Sequence, residues 1–66
     1  DTFRAAFPER TGAYTWWTHW ANARARNVGW RIDYWLASRE IAERVINPEI
    51  HPEQMGSDHC PVSIEL

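Results

Sequence analysis

Apolar and polar positions alternate over Val62-Ser63-Ile64-Glu65-Leu66, which puts Val62, Ile64 and Leu66 on one face of a strand. Trp30 to Ala37 divides in the same way into Arg31/Asp33/Trp35 and Ile32/Tyr34/Leu36, a second strand with Asp33 in the middle of a buried-looking run. A carboxylate there needs a partner. Ala13 to Trp17 is aromatic and β-prone and predicts another strand, and a further one is expected within Glu43 to Ile50. Helical signals are brief. Asp1 to Phe7 reads as a short helical turn ended by Pro8, and Ser38 caps a helix over Arg39 to Ala42. Pro8 to Gly12 is a loop. Thr18 to Gly29 has no 3.6-residue apolar period and reads as a long loop with room for one helical turn; His51 to Gly56 is a polar, Pro-containing turn leading through Ser57 into the last strand. Four short strands with short helical links, and no repeat, describe part of an α/β (α+β) mixed sheet packed against other layers.

Length and composition sharpen this. A chain of 66 residues buries only about 60% of its unfolded surface and usually needs a staple. None is visible, because Cys60 has no partner cysteine and no Cys/His cluster has zinc-ligand spacing. With Asp1 first and Met55 the single methionine, a piece of a longer protein is expected. One unpaired thiol, short apolar runs and an N-terminus without signal-peptide layout suggest a soluble intracellular product with no membrane partner. Of the five tryptophans, Trp17 and Trp35 are assigned to packing, with Trp16, Trp20 and Trp30 left open. Every basic residue is arginine. Arg10, Arg24, Arg26 and Arg31 make Arg10 to Ile32 a local +4 without an acid, whereas Glu40 to Leu66 carries a local −5. A basic, aromatic half beside an acidic half suits a protein that grips a polyanion on one side and holds a cation on the other; solvated faces produce the same asymmetry.

Candidate chemistry gathers in Gly56-Ser57-Asp58-His59-Cys60-Pro61-Val62, where an adjacent acid and imidazole sit in a small-residue turn locked to a strand. A histidine works in acid/base or transition-state chemistry when a carboxylate fixes its tautomer, and Asp33 is the candidate to do so for His59. The alternative pairs Asp33 with Arg31 or with an arginine on a neighbouring strand. Asp58, expected to point away from His59, offers oxygen to a hard divalent cation such as magnesium. His19 and His51 are read as loop histidines.

Tyr14-Thr15-Trp16-Trp17, Asn22-Ala23-Arg24, Asn27-Val28-Gly29-Trp30-Arg31-Ile32-Asp33-Tyr34 and Gly56-Ser57-Asp58-His59-Cys60-Pro61-Val62 follow one another with spacings that resemble the C-terminal part of the exonuclease III family of apurinic/apyrimidinic endonucleases. The Ser-Asp-His-x-Pro turn is shared across the wider endonuclease/exonuclease/phosphatase superfamily, and the Asn-x-Gly-Trp-Arg-Ile-Asp-Tyr block is more specific to its DNA-repair branch. The resemblance covers essentially the whole chain.

It implies the C-terminal portion, residues 1–66, of one four-layered α/β sandwich with two central mixed sheets. It also implies metal-dependent cleavage 5′ to abasic sites in duplex DNA, with 3′-5′ exonuclease activity in many members, and magnesium or manganese as cofactor. By position, His59 matches the catalytic histidine, a general base or an electrostatic phosphate group, and Asp33 its orienting carboxylate; Asp58, with His59, lies at the metal. Trp16, Trp30 and Ile32 match the walls of the abasic-sugar pocket, and Trp20 a side chain entering the DNA groove. Asn22, Arg24, Arg26 and Asn27 fall on the DNA-binding loop. The family's principal metal-binding glutamate, Asp-Asn pair and active-site tyrosine have no match in these residues, so the complementing N-terminal part of the domain is the implied partner, and a monomer the implied complete state. Two rivals are a superfamily phosphodiesterase acting on lipid or inositol phosphates, and a non-catalytic DNA-binding module.

Overall fold

The Asp1 carboxylate starts the first element: its Oδ1 accepts the N–H of Arg4 at 3.0 Å, capping helix α1, Thr2–Ala6. The computed structural model describes all 66 residues. Phe7 and Pro8 end α1, and Arg4 closes the exit by donating to the carbonyls of Phe7 and Arg10. A 3-10 turn at Trp20–Asn22 is the helical turn expected inside the long loop. Ser38 caps α2, Arg39–Ala42, with its hydroxyl accepting from the Ile41 N–H at 3.4 Å.

Strands β1, Ile46–Ile50, and β2, Val62–Glu65, pair antiparallel. Their register slips between Ile46 and Glu49, where Asn47 takes a left-handed φ of 49° and buried Pro48 has no N–H for a ladder. A one-residue bulge is how a strand accommodates that pair.

The other two expected strands, Ala13 to Trp17 and Trp30 to Ala37, do not form ladders. Trp16 makes single antiparallel bridges to Trp30 and to His59, and no more. The pairing stops because the Thr15 hydroxyl accepts the N–H groups of both Ile32 and Asp33, at 3.0 and 3.1 Å, in place of a facing main-chain carbonyl. Farther along, the Trp35 carbonyl accepts from the N–H and hydroxyl of Thr2 at the start of α1. Both segments are therefore extended runs held by a few main-chain bonds around the bridges, by the Thr15 hydroxyl and by a helix end. The architecture is a small α/β arrangement of short helices and one two-stranded antiparallel sheet.

The core is Trp17, Ala23 and Cys60, with Tyr14 and Ile50 packed against it. Trp17 is buried as its assignment to packing required, but Trp35 is half exposed, its indole N–H donating to the Val62 carbonyl at 3.1 Å. Leu66 is also exposed rather than sharing an inner face with Val62 and Ile64. The radius of gyration is 12.8 Å, against about 11 Å for a compact domain of this length. The chain is a slab of 42 × 24 × 15 Å with much apolar surface turned outward.

Candidate active site

Three segments distant in sequence converge on Thr15, a fully buried residue. Its hydroxyl accepts the Ile32 and Asp33 amides, its N–H donates to the Trp30 carbonyl, and its carbonyl accepts the Cys60 N–H at 2.8 Å. The Trp17 N–H adds a bond to the Asp58 carbonyl at 3.2 Å. The loop carrying Trp16, the run carrying Asp33 and the turn carrying His59 are thus tied by main-chain bonds, so their side chains meet at defined places.

The first meeting is between His59 and Asp33. Nδ1 of His59 lies 2.7 Å from Oδ2 of Asp33. A carboxylate can only accept, so the proton resides on Nδ1 and Nε2 is left as the unprotonated nitrogen of the neutral ring. The alternative partner is excluded by geometry, because Arg31 forms a two-pronged pair with Asp1, at 3.1 and 2.7 Å. The bond to Asp33 raises the His59 pKa above its ordinary 6.5; slight desolvation opposes this, and the charges of Asp33 and Asp58 reinforce it. Partial burial pushes Asp33 up, but hydrogen bonds from His59 and Thr15 and the imidazole charge outweigh it and hold the carboxyl below 3.8.

The second meeting is between Asp58 and Trp16, whose indole Nε1–H donates to Oδ2 at 3.0 Å. That bond is the main reason the Asp58 carboxyl is held below its usual range, against slight desolvation, with its own N–H, His59 and His19 adding to it. His19 Nε2 stands 4.0 Å from the same oxygen. Asp58 and His59 therefore make different contacts, the one at Trp16 and the other at Asp33. No group of three or more His, Cys, Asp or Glu side chains is placed to share a metal ion. Asp58 offers one hard carboxylate and His59 one open nitrogen, which fits part of a divalent-cation site and not a whole one.

Trp16 also packs edge to face on Trp30, with ring centroids 6.2 Å apart and planes at 71°. Trp30 and Ile32, two residues apart on the same extended run, are both exposed, and Trp16 is bridged to both Trp30 and His59. Gly29 permits this approach. A Cβ there would lie 2.5 Å from both the Trp16 carbonyl oxygen and Trp17 Cδ1.

The loop residues divide. Trp20 is 80% exposed at the tip, beside Asn22, and Ala21 and Asn22 both adopt a left-handed φ of 55°. Arg26 steadies that tip by donating to the Ala21 carbonyl at 3.1 Å. Asn27, though exposed, is engaged with the protein, accepting from the Trp17 indole at 3.1 Å and donating to the Gly12 carbonyl at 2.8 Å. Arg24 is engaged too, on three carbonyls of the turn that precedes Asp58. Thr15 and the Trp16–Asp58 bond were not anticipated from sequence. The available signal was Thr15 itself, a small hydroxyl residue on the opposite strand face from Tyr14 and Trp16.

Comparison with known proteins gives a consistent picture. The model of the endonuclease/exonuclease/phosphatase family matches residues 1–59. The chain is similar to recombination repair protein 1 of Drosophila melanogaster, 58% identical over 64 residues, which are 97% of this chain and 9% of that protein. It is 48% identical over 64 residues to an exodeoxyribonuclease of Bacillus subtilis, covering 97% of this chain and 25% of the relative. It is 38% identical over 65 residues to a DNA-(apurinic or apyrimidinic site) endonuclease of Dictyostelium discoideum, covering 97% and 18%. The chain thus spans a quarter or less of the length of these curated relatives.

Proposed function

The chain belongs to the endonuclease/exonuclease/phosphatase family, and we propose that it forms the C-terminal part of a DNA-repair nuclease that hydrolyses the phosphodiester bond 5′ to abasic sites in duplex DNA. The observation that carries the reading is the 2.7 Å His59–Asp33 pair together with the Trp16–Trp30 aromatic pair, joined through Trp16, which is bridged to both Trp30 and His59. One part supplies a proton-handling group; the other supplies an apolar wall. A deoxyribose without its base presents an apolar face that such a wall accepts, and a narrow site excludes a nucleotide that keeps its base. Ile32 extends the wall.

In this reading the remainder of a four-layered sandwich with two central sheets covers the outward apolar surface and completes the site. Nε2 of His59 engages the scissile phosphate or its attacking water, and Asp33 keeps the proton on Nδ1 and stabilises the imidazolium when it forms. Asp58 supplies one carboxylate to a divalent cation, magnesium or manganese, which when bound neutralises charge on the phosphoryl group. Trp20 and Asn22 at the loop tip approach the DNA groove and backbone, and Arg26 is near enough to the tip to meet a phosphate. The complete protein is a monomer inside the cell. No helix of the chain is long and apolar enough to cross a membrane.

The test is a nicking assay on the full-length protein with a duplex carrying one tetrahydrofuran abasic analogue, with magnesium or EDTA. Cleavage 5′ to the analogue that needs magnesium is expected, and His59→Ala is expected to lower the rate by about 10²-fold or more with duplex binding largely kept. An intact duplex would sink the assignment. Cleavage of inositol or lipid phosphates instead would move it to another branch of the family.

A further inference from the structure

Arg24 makes the densest set of polar contacts of any side chain in the loop. Nη1 donates to the Ser57 carbonyl at 2.8 Å, and Nη2 to the carbonyls of Pro52 and Gln54 at 2.9 and 2.8 Å. Its guanidinium carbon lies over the Trp17 ring, 4.5 Å from the centroid. Trp17 is 2% exposed, so the platform beneath the arginine is fixed by the core. The segment that Arg24 grips needs holding. It contains Gly56 at a φ of +117°, with nothing within 4 Å of where a side chain would begin. Immediately after it the Ser57 hydroxyl accepts the His59 N–H at 3.1 Å. The turn is therefore pinned at Ser57 by Arg24, at Asp58 by the Trp17 N–H and at Cys60 by the Thr15 carbonyl.

We propose that Arg24 is a positioning residue for the His59 turn, clamping the carbonyls of residues 52, 54 and 57 against the core, and that it does not serve as a phosphate contact. The role of the turn rests on the nuclease reading above; the clamp itself rests on geometry. A planar fork spreads its donors over two outer nitrogens while stacking on an indole, whereas a lysine ammonium gathers its three donors on one nitrogen and has no plane to stack. A phosphate contact makes the opposite demand, because a point charge satisfies it. Arg24→Lys therefore separates the two roles.

The experiment uses the full-length protein with Arg24→Lys and Arg24→Ala. It measures the single-turnover nicking rate at saturating abasic duplex, and duplex Kd in EDTA across a salt series. The clamp predicts that both variants lose about 10- to 100-fold in rate, the scale of a misplacement near 1 Å. Kd and its salt slope stay unchanged, and ethylguanidinium restores part of the rate of Arg24→Ala. Wild-type rates in Arg24→Lys overturn the proposal, as does an Arg24→Ala variant that keeps its rate but loses affinity with a salt slope smaller by about one. A rate loss that vanishes when each variant is assayed well below its melting temperature marks a stability effect alone and also overturns it. The 15N shifts of the His59 imidazole give a readout independent of substrate. They are expected to move in Arg24→Lys, and unchanged shifts refute the clamp even if the wild-type protein proves to cut something other than abasic DNA.

Discussion

At the scale of single residues, the His59–Asp33 pair is one interaction that moves two titrations in opposite directions. Folding raises the imidazole above 6.5, so its share of the stabilisation is complete below pH 6.5 and disappears as pH rises through the higher folded value. Folding lowers Asp33 below 3.8, so its share is complete above pH 3.8 and is lost as pH falls through the lower folded value. The pair is fully formed between those limits. Asp33→Asn keeps the shape and an acceptor but removes the charge, which weakens the hydrogen bond that chiefly raises His59 and takes away the Asp33 charge that adds to it. The His59 pKa followed by NMR should fall, and the pH limb of the nicking rate that His59 governs should move to lower pH with it. A limb that stays in place would mean that another group titrates there. Thr15 belongs to this scale as well. The Asp-His turn and the mid-strand carboxylate were legible because a charged group in an apolar run has few physical reasons to be there. Thr15 was not, since a threonine in a β-prone segment is ordinary and only the fold reveals that its hydroxyl takes two amides at once.

At the scale of elements, legibility followed the range of the interactions involved. α1, α2, β1 and the helical turn in the loop are set by capping groups, Pro8 and neighbouring residues, and they lie where local rules put them. Ala13 to Trp17 and Trp30 to Ala37 have strand-like composition, but a ladder depends on a partner, and Thr15 ends the pairing after one bridge. Gly29 sets how close those two runs can come. Its backbone lies against the Trp16 carbonyl, so a methyl group 2.5 Å from that oxygen must push main chain, not a flexible side chain. Gly29→Ala should destabilise the full-length protein by about 1–3 kcal/mol, the usual cost of overpacking. It should also slow nicking, since the Trp16–Trp30 pair and the Asp58 bond both depend on the same bridge. Urea denaturation and the nicking rate check both parts, and wild-type behaviour in each would show that the close approach is not needed.

At the scale of the whole molecule, burial sets the limit. Only 6 of the 66 residues are buried, while Trp20, Trp30, Trp35, Leu36 and Leu66 among others are half exposed or more. A core built on Trp17, Ala23 and Cys60 removes too little apolar area from water to offset the conformational entropy of ordering the chain. The outward apolar surface is what a further layer of the same domain would cover, and the slab shape leaves both broad faces open to such layers. By itself the chain should show no cooperative urea transition in tryptophan fluorescence and no nicking of abasic duplex. Mixed with the N-terminal remainder of the same domain as a separate polypeptide, it should gain a cooperative transition, and magnesium-dependent nicking should appear with it. The two gains should occur together, because in the proposed function the contacts that bury the apolar faces also hold Asp58 and His59 in register with the rest of the site. A sharp two-state transition from the 66 residues alone would show that the small core suffices. Cooperative folding of the mixture without activity would place the chemistry elsewhere than the His59 turn.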